Sequence, residues 1–217
     1  RMRWPLAKEY PESDSGTRQL GRGKPAALLA YLAASPGRRA SRERLATLLW
    51  SEGSTDQARQ NLRQTLWYVR RRLGPWLLTT DDFITLIPEV ESDRENFLVA
   101  VREQRLRDAV AVYAGAFIPD FAAPGAAEFE EWADLERRRL RALFTGCCDT
   151  LARQALSAGQ FTSAVDLARR ARDEAPLELA PWRLLLESLA AARDTVACLA
   201  EAEHLEAMLA SNEMVPD

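Results

Sequence analysis

Apolar residues recur at helical spacing over most of this chain. The clearest case lies between Asp56 and Arg72, where Ala58, Leu62, Leu66, Val69 and, just beyond, Leu73 follow one another at intervals of four, four, three and four. That spacing predicts one helix of about four to five turns. With Leu62 at zero and about 100° per residue, the five fall within about 40° of one line. Two shorter helices are predicted before it. Lys24 to Ser35 carries Leu28, Leu29 and Leu32 on one side, starts with Pro25 at its first position, and stops at Ser35-Pro36-Gly37. Ser41 is the expected N-cap of the next, with Leu45, Leu48, Leu49 and Trp50 as its buried face. A loop, Ser51–Thr55, follows, and Gly74-Pro75 ends the long helix.

The period changes after Pro75. Trp76–Thr80 and Phe83–Ile87 are rich in β-branched and aromatic residues, and Asp81-Asp82 separates them, which predicts a hairpin with a two-residue loop. Three helices followed by a hairpin are the plan of a winged helix-turn-helix. From Ser92 onward only helical patterns remain, at about 94–104, 106–115, 126–143, 146–157, 161–174, 178–192 and 195–211, with a Pro-containing loop over 116–125. Gly159–Ala164, Ala171 and Pro176 fit the second half of a tetratricopeptide repeat, and Leu151 and Ala155 its first helix. About 34 residues later Trp182, Leu185 and Leu189 take the first-helix positions, while Cys198 and Leu205 stand where alanines are usual. The expected fold is therefore mainly α: a winged helix-turn-helix with a small hairpin wing over 1–90, then an all-α tetratricopeptide-like domain over 91–217. Residues 1–17 are weakly patterned, and Thr17–Leu20 reads as a strand before a turn at Gly21–Gly23.

Charge sharpens that division. The net charge is -3, but Arg18–Trp76 holds 12 basic and 3 acidic residues, and Leu77–Asp217 holds 14 basic and 26 acidic. A segment of net +9 followed by one of net -12 suits a protein with one polyanion-binding end. Arginine outnumbers lysine 27 to 2, a bias that base composition of the genome can also produce, so it proves no function. The three cysteines, two of them adjacent at Cys147-Cys148, suit buried thiols in a reducing cytoplasm. No run of about 18 apolar residues predicts a membrane span.

The long helix then acquires chemistry. Opposite its apolar stripe stand Gln57, Gln60, Gln64, Trp67 and Arg71; Arg59, Arg63 and Arg70 form one shoulder, Asn61, Tyr68 and Arg72 the other. No acid occurs from Gln57 to Leu73, whereas an ordinary solvated face mixes both signs. Gln and Arg pair bidentately with adenine and guanine edges, at about 1–3 kcal/mol of discrimination each. Gln57, Arg59, Gln60, Arg63, Gln64 and Trp67 are the candidate base contacts. Arg38, Arg39, Arg42, Arg70, Arg71 and Arg72 are the candidate phosphate contacts, which position without reading sequence. If about six phosphates are neutralised, the log–log salt slope is about -5. The plainer readings are a helix end favoured by the macrodipole for Arg70–Arg72, and packing against the wing or the helical domain for Trp67. Trp50, Trp132 and Trp182 fall on apolar faces and read as core.

Catalysis finds little support. Gly21–Lys24 lacks P-loop spacing and is followed by Pro25 instead of a hydroxyl. His204, the single histidine, lies among Glu201, Glu203 and Glu206 and reads as a surface residue. The pairs Asp81-Asp82 and Glu130-Glu131 have no nucleophile beside them. No catalytic, metal or cofactor residues are assigned.

Order and spacing along the chain resemble the SARP-type bacterial transcriptional activators. The resemblance rests on Lys24–Tyr31 (KPAALLAY), Pro36-Gly37-Arg38, Ser41–Leu45 (SRERL), Leu49-Trp50, Ala58–Leu66 (ARQNLRQTL) and Arg70–Gly74 (RRRLG). It continues through Asp93, Phe97, Tyr113–Phe117, Trp132 and Glu136. The resemblance implies an OmpR-like winged helix with residues 56–73 in the major groove, followed by a bacterial transcriptional activation domain. It also implies double-stranded DNA in direct repeats and RNA polymerase as partners; a homodimer is a further expectation. Two alternatives stay open: a tetratricopeptide-type scaffold for a peptide or protein, and a sensor whose helical half binds a small ligand.

Overall fold

The computed structural model describes residues 23–73, 76–119, 121 and 123–213; the strand expected at Thr17–Leu20 lies outside them. The chain is mainly helical, with one small antiparallel sheet among the described residues. It divides into two compact units, the first reaching Val99 and taking in Val112–Arg138, the second made of Ala100–Ala111 and everything from Arg139.

In the first unit α1 (Lys24–Ala34) opens with Pro25 in its first turn, where a missing N–H costs nothing. A 3-10 turn, Pro36–Arg38, leads into β1 (Arg39–Ser41). Ser41 caps α2 (Arg42–Leu49), its Oγ accepting from the Arg44 N–H at 3.1 Å. The long helix is α3 (Thr55–Leu73). Four residues of its expected stripe are buried: Ala58, Leu62, Leu66 and Val69 join Leu28, Leu32, Leu45, Leu48 and Leu49 in the core, while the side chain of the fifth, Leu73, lies outside what the structure describes. The hairpin forms β2 (Leu77–Thr79) and β3 (Phe83–Leu86), with Leu77 opposite Leu86 and Thr79 opposite Ile84. β1 pairs with the other edge of β3, giving the order β1-β3-β2. That third strand is not predicted by the sequence pattern, because Arg-Ala-Ser is too short and too polar to show alternation.

The remainder of this unit comes from further along the chain. Most of α4 (Asp93–Arg102) and the first turns of α6 (Ala127–Ser157) belong to it. Trp132 of α6 meets Tyr31 at 4.9 Å, Phe129 at 5.3 Å and Phe117 at 5.8 Å between ring centroids. Arg137 donates to the carbonyls of Phe117 and Ile118, both at 2.8 Å. These bonds hold Ile118 at φ 46°, a left-handed conformation that a β-branched residue seldom adopts. The buried ion pair Arg94–Glu136, at 2.6 Å, joins α4 to α6.

The second unit holds α5 (Leu106–Val112) but for its last residue, the rest of α6, and then α7 (Phe161–Glu174), α8 (Leu179–Ala191) and α9 (Thr195–Glu213). Where the pattern predicts two helices, 126–143 and 146–157, α6 runs on without a break. Gly146 weakens a helix, but Phe144, Cys147, Cys148 and Leu151 are buried on either side of it and carry the helix through. Gly159 turns α6 into α7 at φ +70°, a position that favours glycine. Ala152, Ala155, Ala164, Val165, Ala168, Leu184, Leu185 and Leu189 share one core, so small residues let these helices approach closely. Trp182 is buried and its indole N–H donates to the Pro176 carbonyl at 2.8 Å.

Candidate nucleic-acid interface

The register expected for α3 holds from Gln57 to Arg72. Ala58, Leu62, Leu66 and Val69 face the core, while Gln57, Arg59, Gln60, Arg63, Gln64, Trp67, Arg70, Arg71 and Arg72 are exposed. Asn61 and Tyr68 are half-buried on the remaining shoulder. Ser54 starts the helix by accepting from the Gln57 and Ala58 N–H groups. Among the described residues the side chains of Gln60, Arg63 and Gln64 make no hydrogen bond or ion pair. Gln57 donates to Asn61 Oδ1 at 3.3 Å, and Arg59 lies 3.8 Å from Asp56, an exposed pair of small energetic weight. Trp67 is 61% exposed, with the Arg71 guanidinium 5.1 Å from its ring centroid. Arg72 lies in the same way over Tyr68, at 5.5 Å. Eight exposed Gln and Arg side chains therefore line the outer side of one helix with an exposed aromatic, and no carboxylate follows Asp56 of its first turn.

The six arginines expected at phosphates divide differently. Arg38 is turned inward, donating to the Val90 carbonyl at 2.6 Å and the Ile87 carbonyl at 3.2 Å, and ion-pairing with Glu95. These partners fasten the 3-10 turn to the segment after β3 and offset the left-handed backbone of Arg38 itself, at φ 54°. Its guanidinium is engaged inside the protein, unlike that of a side chain held out to solvent. Arg39 is exposed and stacks on Phe83, with its guanidinium carbon 3.6 Å from the ring centroid. Arg42 donates from Nε to the Thr80 carbonyl at 2.9 Å. Arg70 donates to Thr79 Oγ1. Thr79 and Thr80 thus engage two of the arginines, and no feature of the sequence singles them out; the partners are 9 and 38 residues away in the chain.

Other candidates settle into structural places. Lys24, at the end of the Gly21–Lys24 run, holds its ammonium 4.9 Å from the Trp50 ring centroid. Burial lowers its pKa, and Glu52 acts in the opposite direction. Trp182 is buried as expected, whereas Trp50 and Trp132 are half-buried. His204 is exposed, 3.5 Å from Glu201. Cys147 and Cys148 are buried free thiols and Cys198 is half-buried. No group of three or more His, Cys, Asp or Glu side chains among the described residues could hold a metal ion. None of the described helices is long and apolar enough to cross a membrane.

A small α+β unit presenting a basic helix with no acid after its first turn, joined in one chain to a unit of packed helices, has the make-up of a regulatory protein. The sequence bears this out: it matches the bacterial transcriptional activator domain over residues 80–213, more than half of the chain. The chain belongs to that family, which is regulatory and not enzymatic. No curated protein matches it.

Proposed function

We propose that this chain is a sequence-specific, DNA-binding transcriptional activator of the cytoplasm. The first unit would act as a winged helix-turn-helix, with α2 and α3 as the paired helices and β2–β3 as the wing. The observation that carries this reading is the outward face of α3, where Gln57, Arg59, Gln60, Arg63, Gln64 and Trp67 are all exposed and no acid follows Asp56 of the first turn. An α-helix fits the major groove, and these side chains are the types that distinguish base pairs there. Arg39, Arg71 and Arg72 are the exposed candidates for phosphates. In function the division falls near residue 90, the helices beyond it forming a tetratricopeptide-like region. That region would contact RNA polymerase or a second protomer on direct repeats, a proposal supported by family membership and by the acidic balance after Trp76.

The test is selection of bound duplexes from random DNA, followed by Gln60→Ala and Gln64→Ala. The expected outcome is a recovered consensus, and a loss of about 5- to 100-fold in discrimination against random DNA for each substitution, the range that one lost bidentate pair gives. Recovery of no consensus, or discrimination unchanged in both variants, overturns the reading.

A further inference from the structure

The β2–β3 hairpin is fastened to both helices of the proposed DNA-binding pair. From α2, the Arg42 N–H donates to the Asp82 carbonyl at 2.8 Å and its Nε donates to the Thr80 carbonyl at 2.9 Å. From α3, Arg70 donates to Thr79 Oγ1. The tip is closed by its own bonds, Thr80 N–H to the Phe83 carbonyl at 2.9 Å and Phe83 N–H to Thr80 Oγ1 at 3.1 Å. It carries no Lys or Arg. Asp81 and Asp82 are exposed there and pair with no cation among the described residues.

We propose that Arg70 and Arg42 are positioning residues for the hairpin, and that Arg70 acts on DNA recognition through Thr79 and not as a phosphate ligand. The inference rests on the reading of α3 as the DNA-reading helix. A hydrogen bond between an ionised guanidinium and a hydroxyl is stronger than a neutral one, and it fixes the hairpin's angle to the C-terminal end of α3. Phosphates repel a carboxylate over roughly 10 Å at 0.1 M salt. A clamped acidic tip therefore disfavours any pose that leans the hairpin onto the DNA backbone. It leaves the pose in which α3 meets the bases, so specificity gains from a repulsive element as well as from attractive ones. A loose hairpin swings its acids away and lets the basic face settle on any sequence.

Thr79→Val separates the two roles of Arg70, because it removes the hydrogen bond and keeps the charge. Binding of the full chain to a selected duplex and to random duplex is measured across a salt series, for wild type, Thr79→Val, Thr79→Ser and Arg70→Ala. The expected result is a 3- to 10-fold lower specific-to-random ratio in Thr79→Val with the wild-type salt slope, and recovery of the ratio in Thr79→Ser. Arg70→Ala lowers the ratio likewise and leaves the slope within a few tenths. A phosphate ligand behaves otherwise: Arg70→Ala flattens the slope by about one unit and Thr79→Val does nothing. That result overturns the proposal. Hydrogen exchange at the Thr80 and Ile87 amides, with no DNA present, is the second readout. Faster exchange in Thr79→Val supports the clamp even if wild type shows no discrimination and the DNA reading itself fails; unchanged exchange overturns the clamp.

Discussion

Two single residues show how environment sets role. Trp67 is a large aromatic on a helix face where aromatics usually serve a core, yet 61% of it is exposed. A side chain so exposed contributes little to stability. Trp67→Ala is therefore expected to shift folding free energy by less than about 0.5 kcal/mol, while weakening binding to a selected duplex about tenfold, or ~1.4 kcal/mol. Thermal melting and fluorescence anisotropy on the same variant decide the matter, and a large drop in melting temperature with unchanged DNA affinity would make Trp67 a packing residue. Cys148 is the opposite case. Burial pushes its thiol up to about 12 from 9.0, with Arg170 opposing and Cys147 adding. Between those values the unfolded chain has lost the proton and the folded chain keeps it, so the unfolded state binds fewer protons. Stability from this group is complete below about pH 9 and is lost as pH rises, by up to ~1.4 kcal/mol per pH unit. Cys148→Ala should flatten the fall in urea midpoint above pH 9; parallel curves for variant and wild type would refute the assignment.

Elements differ in how openly the sequence declares them. α3 was readable because it buries one face only, so its period of 3.6 survives in the letters from Ala58 to Val69. The hairpin was readable for a similar reason, and its loop falls at Asp81-Asp82 as the pattern predicts. β1 was not, since its three residues are held by the β3 edge and not by their own propensity. The continuity of α6 through Thr145-Gly146 was hidden because local propensity points to a break while buried neighbours overrule it. The internal partners of Arg38 were not legible for want of distant information: Val90 and Glu95, 52 and 57 residues away, accept from its guanidinium. The α4–α6 connection likewise depends on a long-range pair. Arg94 and Glu136 each keep only 9% of their side-chain surface. Removing one partner strands the other charge, so Glu136→Ala is expected to cost about 3–5 kcal/mol, whereas a double replacement by Met at both positions costs far less. Chemical denaturation of the two variants checks this, and a Glu136→Ala loss under ~1 kcal/mol would mean that water reaches the pair.

At the scale of the whole molecule, the charge split states which stretch of sequence meets a polyanion, and the pairings state how strongly. Arg18–Trp76 carries 12 basic against 3 acidic residues. Six arginines on phosphates would give a log–log salt slope of about -5. Arg38 is engaged within the fold, and the hairpin clamp takes Arg42 and Arg70. Arg39, Arg71 and Arg72 are the exposed candidates, and three phosphate contacts give a slope of about -3. The difference is large in practice. Raising salt from 50 to 200 mM weakens binding ~1000-fold at a slope of -5 and ~60-fold at -3. Anisotropy titrations of random duplex at four or five salt concentrations measure the slope directly. A value near -5 would return the clamped arginines to the phosphates and overturn the purely positioning role of Arg70. A value near zero would leave the basic segment without a nucleic-acid role, whatever the face of α3 suggests. A value near -3, with Gln60→Ala and Gln64→Ala leaving it unchanged while discrimination falls, would separate the two functions within one helix: glutamines that read, and a small set of arginines that hold.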